Sequence, residues 1–146
     1  MLRTFNIPFP DNSIILDNGL GNVINLGFIE IKDSVFLSIF KERIEHVNLT
    51  DFHDKTGFEC FVNKVHIKDY LAKENLSKKF LIEQTITFAV QIKKALEANF
   101  VDSKFEVFAS FDINHFTSNF HKVRSNEKWL SDDIEGYKDE SIIVLN

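Results

Sequence analysis

The stretch Ser77-Lys78-Lys79-Phe80-Leu81-Ile82-Glu83-Gln84-Thr85-Ile86-Thr87-Phe88-Ala89-Val90-Gln91-Ile92-Lys93-Lys94-Ala95-Leu96-Glu97-Ala98-Asn99 changes the period of the chain and with it the class of fold. Leu81, Thr85, Phe88, Ala89, Ile92 and Leu96 recur by steps of three and four, which puts them on one face of a helix, while Glu83, Thr87, Gln91 and Lys94 form the opposite, solvated stripe. Directly after it, Lys104 to Ile113 alternates with a period of two. Phe105, Val107, Ala109, Phe111 and Ile113 share one side, and Glu106, Ser110 and Asp112 share the other. A long helix over residues 77–99 is therefore followed by a half-covered antiparallel strand.

Downstream, residues 116–123 and 141–145 read as further extended pieces. Upstream, Asn18-Gly19 is the strongest hairpin signal, because a two-residue turn needs positive φ at both central positions and Asn-Gly accepts it cheaply. Residues 22–32, with Val23, Leu26, Phe28 and Ile31, read as a strand that could bulge at Gly27. Residues 34–47 fit two templates: a helical stripe of Val35, Phe36, Ile39, Phe40, Ile44 and Val47 capped by Asp33 or Ser34, or a buried strand over Val35 to Phe40. Residues 50–57 read as a loop, and residues 58–67 as a strand covered on both faces. Strands, one main helix, then strands make an α+β fold: a single domain over residues 1–146, with an antiparallel sheet and the long helix across one face.

The totals agree with one core. A chain of 146 residues has the size of a single domain, and sixteen of its nineteen aromatic residues are Phe, which buries a large area with no polar atom to satisfy. The first residues lack the charged start and long apolar run of a secretory signal, and no stretch has the apolar length of a membrane span. Cys60 is the single cysteine, which suits a reducing compartment, so a cytosolic protein is expected.

The net charge of −5 is unevenly spread. Residues 127–140 carry six acids (Glu127, Asp132, Asp133, Glu135, Asp139, Glu140) against two bases (Lys128, Lys138), a local −4 that leaves −1 for the rest. Such a surplus makes a directional field that repels nucleic acid and acidic membranes and attracts a basic partner. The same segment holds the only Trp, Trp129, and one of two tyrosines, Tyr137. Amphipathic rings amid charge are what centre a protein interface, although the same rings also serve to pin a loop onto a core.

Candidate catalytic groups are sparse. His46, Asp51, His53 and Asp54 lie within nine residues and are of metal-ligand type, but they lack a ligating spacing and read as a solvated loop. His115 and His121 could share a strand face in acid and base roles, yet no activated nucleophile stands near them. Gly19-Leu20-Gly21 lacks the third glycine and following helix of a phosphate cradle. No cofactor or metal is expected. The enzyme alternative is a small metal-dependent hydrolase or nuclease using His46, His53, His115 or His121.

Phe120-His121-Lys122-Val123-Arg124, Glu127-Lys128-Trp129-Leu130, Asp133-Ile134-Glu135-Gly136-Tyr137 and the closing Ile142-Ile143-Val144-Leu145 resemble the C-terminal end of small immunity proteins from bacterial contact-dependent growth inhibition and related polymorphic toxin systems. The resemblance covers roughly the last 27 residues. It implies a non-catalytic protein that binds and neutralises one cognate toxin domain, commonly a nuclease with a basic cleft. Glu127, Trp129, Asp132, Asp133, Glu135, Tyr137, Asp139 and Glu140 would then contact the partner. A monomer is expected over an oligomer, with the edge strand Ile142 to Leu145 as the route by which copies would otherwise associate.

Overall fold

The computed structural model describes residues 13–48, 50, 52, 54–72, 76–127 and 140–146. Its elements run α1 (Asn18–Asn25), β1 (Phe28–Ile31), β2 (Ser34–Leu37), α2 (Lys41–His46), α3 (Lys55–Val62), β3 (Val65–His66), α4 (Lys78–Asn99), β4 (Phe105–Phe111), β5 (Phe116–Lys122) and β6 (Ser141–Leu145). Short 3-10 turns at Ser38–Phe40 and Ile67–Tyr70 join β2 to α2 and follow β3. The architecture is α+β, with a four-stranded antiparallel sheet in the order β3-β5-β4-β6 and a separate hairpin of β1 and β2.

The helix predicted over 77–99 is α4. Ser77 caps it, its side chain accepting from the Phe80 N–H at 3.1 Å. It packs on β4 and β5 and also against α1 and the turn after β3. That double cover explains one difference: Thr87, expected in solvent, is buried, as is the whole run from Gln84 to Ala89.

Strands β4, β5 and β6 lie where extended pieces were expected, but β4 stops at Phe111, so Ile113 is exposed and not on the core side, and the strand is covered on both faces and not one. Phe105↔Lys122 to Phe111↔Phe116 register β4 on β5, and Val107↔Leu145 to Phe111↔Ser141 register β4 on β6. Phe105, Val107, Ala109 and Phe111 belong to the main core, together with Phe88, Ile92 and Leu96 of α4. Phe28, Phe105 and Phe120 meet edge to face within it. On the opposite sheet face Phe108 is buried with Cys60 of α3 and Ile142 of β6, with Val144 packed beside them.

The first third departs from expectation. Asn18-Gly19 opens a helix and not a hairpin, because the Asp17 side chain accepts from Gly19 N–H at 2.9 Å and caps the first turn. Leu20 and Val23 then enter the core. Gly19 is required for contact: a Cβ there would lie 1.9 Å from the Tyr70 carbonyl oxygen. Gly27 is no bulge. It ends α1 at φ +79°, and its N–H bonds the Ile24 carbonyl at 3.0 Å.

The tight hairpin turn lies instead at Lys32 and Asp33, both at positive φ (48° and 69°), a geometry that Asn-Gly favours, that Asp tolerates and that is costly for Lys. Residues 34–47 turn out to be both readings in series, a buried strand and then α2. Residues 58–67 are not one strand: Asp54 caps α3 by accepting from Gly57 N–H at 2.7 Å, and only Val65 and His66 pair with β5.

Candidate functional site: a buried charge network at the root of the acidic stretch

Helix α3 replaces a strand along the free edge of β2. Glu59 and Asn63 stand one turn apart and are both fully buried. Glu59 Oε2 accepts from Val35 N–H at 2.8 Å, and Asn63 Oδ1 accepts from Leu37 N–H at 2.9 Å while its Nδ2 donates to the Val35 carbonyl at 2.9 Å. The edge groups of β2 are thereby satisfied by side chains, as buried backbone groups must be.

Arg124, two residues past β5, closes the network. Its Nη1 donates to Glu59 Oε1, and its Nη2 donates to the Asp33 backbone oxygen at 2.7 Å. Its Nε lies 3.7 Å from Asp33 Oδ2 and 3.8 Å from Glu127 Oε2. Lys122 Nζ donates to Asp33 Oδ1 at 2.6 Å, and Lys55 Nζ donates to the Lys32 carbonyl at 3.2 Å. These cations supply the support that the left-handed turn at Lys32 and Asp33 needs. Three acids (Asp33, Glu59, Glu127) thus face three bases (Lys55, Lys122, Arg124), and the cluster is balanced within itself.

Environment separates the acids. The Lys122 ammonium, bonded to Asp33, holds that carboxyl below its ordinary value. Burial pushes Glu59 up, against the pull of Arg124 and of the Val35 and Lys122 N–H groups. Burial also raises the Cys60 thiol, so it is not an activated nucleophile.

Glu127 is where the acidic stretch begins. Its side chain is 21% exposed, and its Oε1 accepts from Thr56 N–H at 3.4 Å in the first turn of α3, where the helix dipole favours a negative charge. Its carboxylate is therefore engaged within the protein. At the far end Glu140 is exposed and leads into β6. Strand β5 ends at the Phe105 end of β4, where Lys122 pairs, and β6 begins at the Phe111 end, where Ser141 pairs, about 20 Å away along the strand. Trp129, Asp132, Asp133, Glu135, Tyr137 and Asp139 lie outside the described residues.

The histidines are not brought together. His46 ends α2 on the surface, and His53 and Asp51 lie outside the described residues. His115 and His121 stand at opposite ends of β5. His115 is exposed, its Nδ1 3.1 Å from both Asp112 oxygens. Asp112 also accepts from the Asn114 and His115 N–H groups, and these bonds hold its carboxyl down at about 2. His121 is buried and stacked on Phe108; its Nδ1 reaches the Lys122 carbonyl at 2.8 Å and its Nε2 lies 3.8 Å from Glu106. Burial lowers its pKa. Among the described residues, no group of three His, Cys, Asp or Glu side chains could hold a metal ion.

Sequence reasoning missed Asp33, Glu59, Asn63 and Arg124 as one unit. The available signal was Asp54-x-x-Gly57, a cap that makes residues 55–62 helical and so spaces Glu59 and Asn63 one turn apart.

No helix among the described residues is long and apolar enough to cross a membrane. No solved structure matches the chain. A protein of Pasteurella multocida (strain Pm70), described as "Uncharacterized protein PM0498", is 31% identical over 112 residues, covering 70% of this chain and 67% of that protein. The model of the uncharacterized protein PM0498 family matches residues 1–146, and the chain belongs to that family.

Proposed function

We propose that this chain is a non-catalytic binding protein that holds a basic protein partner through its acidic stretch, acting in the cytosol as the immunity partner of a bacterial toxin domain, most simply a nuclease. One observation carries this. The network of Asp33, Glu59 and Glu127 with Lys55, Lys122 and Arg124 is charge-balanced and fixes Glu127 to α3, so the five acids and two bases of residues 128–140 add a net −3 to it. A surplus anchored at its root acts on an approaching cation-rich cleft as a directional field. Asp132, Asp133, Glu135, Asp139 and Glu140 are the proposed contacts, with Trp129 and Tyr137 as anchoring rings and Glu127 as the fixed base. The resemblance of the last 27 residues to immunity proteins supports the same assignment.

Co-expression tests it. The C-terminal domain of a large secreted protein encoded beside this chain should arrest growth when produced alone, and growth should return, with a stable complex recovered, when this chain is produced with it. Arrest that persists in the presence of the chain, with no complex, would remove the proposal.

A further inference from the structure

Among the described residues, no acceptor satisfies the buried Arg124 Nε–H. The rest of the side chain is well bonded. Nη1 donates to Glu59 Oε1, to the Lys122 carbonyl at 3.3 Å and to the Thr56 hydroxyl at 3.4 Å, and Nη2 donates to the Asp33 carbonyl at 2.7 Å. These bonds fix the guanidinium at its far end. Nε then faces two carboxylates at almost equal distance, Asp33 Oδ2 at 3.7 Å and Glu127 Oε2 at 3.8 Å, both just beyond the reach of a hydrogen bond. A buried donor left unsatisfied between two charged acceptors costs free energy that either bond would recover.

The two bonds exclude each other. One N–H makes one strong bond, and drawing both carboxylates onto it would crowd like charges together. Each acid is also held from behind, Asp33 Oδ1 by Lys122 Nζ at 2.6 Å and Glu127 Oε1 by the Thr56 N–H at 3.4 Å. Both hang from turns that contain a left-handed residue, Asp33 itself at φ 69° and Asn126 at φ 68°. A shift of about 1 Å in either turn completes one bond, to about 2.9 Å, and leaves the other acid outside.

We infer that Arg124 is a conformational switch whose Nε–H bonds either Asp33 or Glu127, so that the hairpin turn at Lys32 and Asp33 and the root of the acidic stretch tighten at each other's expense. Whatever draws Glu127 away hands the donor to Asp33. Whatever opens the hairpin turn hands it to Glu127. The coupling stands on the geometry around Arg124 and would survive failure of the toxin assignment.

A cycle of Asp33→Gly and Glu127→Ala in the full chain tests it; glycine accepts the left-handed φ, and neither position is buried. In urea unfolding, the double variant should raise the unfolding equilibrium constant by roughly 3-fold or more beyond the product of the two singles, because each single variant leaves Nε the other acid. The Arg124 Nε–H proton resonance should move downfield in each single variant, as one bond shortens, and upfield in the double. Where a deletion fails to fold, Asp33→Asn and Glu127→Gln give the same resonance test, since the remaining carboxylate is the stronger acceptor. Additive stabilities overturn the inference. So does an Nε–H resonance that stays in place in either single variant, which would leave repulsion between the two acids as the source of any excess.

Discussion

Replacing Glu59 by Leu preserves most of the side-chain volume and removes the one carboxylate on which α3, β2 and Arg124 converge. Two losses follow. The Arg124 side chain, 11% exposed, is left without its buried counter-charge; breaking a buried pair from one side destabilises by about 3–5 kcal/mol. Asp33 and Glu127 remain within 4 Å of its Nε, which places this loss near the lower bound, about 3 kcal/mol. The Val35 N–H and, through a longer bond of 3.3 Å, the Lys122 N–H lose their acceptor, which together adds about 1 kcal/mol. The total of about 4 kcal/mol is a large part of the 5–15 kcal/mol that holds a typical domain together. Arg124→Met should be milder, about 2 kcal/mol, because an abandoned carboxyl can take a proton whereas a guanidinium cannot lose one. The double variant should lose less than the sum of the singles by about 2 kcal/mol or more. Urea unfolding followed by circular dichroism at neutral pH measures all three. A loss under about 1 kcal/mol for Glu59→Leu, or strict additivity with Arg124→Met, would refute the role given to the network.

Asn63→Ala removes the acceptor for Leu37 N–H and the donor to the Val35 carbonyl, both buried, so the urea midpoint should fall by the equivalent of about 2–4 kcal/mol with an unchanged slope. Stability should also decline as pH falls below the ordinary histidine value of 6.5: burial depresses the folded pKa of His121, the unfolded chain therefore binds a proton that the native chain does not, and the contribution is lost downward through that window. His121→Phe, which retains a ring against Phe108, should flatten that part of the curve; a wild-type curve flat from neutrality to about pH 5 would contradict the assignment.

The parts of the fold that were legible in the sequence are those whose signals are long and local. Helix α4 repeats its stripe over 22 residues, and β4 alternates over seven, so each outweighs chance patterns. Helices α1 and α3 are eight residues each, too short for a stripe to dominate, and both contain residues that favour another state locally: Asn18-Gly19 for a turn, Phe61 and Val62 for a strand. Their capping acids, Asp17 and Asp54, were the deciding signal. The hairpin turn went to the wrong place because Lys32 has no intrinsic preference for positive φ, Asp33 is a weaker signal than Asn-Gly, and both are held by Lys55, Lys122 and Arg124 from elsewhere in the chain. The same distance hid the network: Arg124 meets Glu59 across 65 residues and the Asp33 carbonyl across 91. Local composition, by contrast, displayed the acidic stretch plainly, since it depends on no contact.

The most direct measurement is the rate at which the proposed partner, a basic toxin domain, associates with this chain and with the double variant Asp132→Lys, Asp133→Lys, at low and at high salt. If the anchored acidic stretch captures a basic partner, the wild-type rate should fall steeply as salt rises, and the variant should be slower by about tenfold or more at low salt and converge on the wild type at high salt. Equal rates for the two proteins, unmoved by salt, would contradict it.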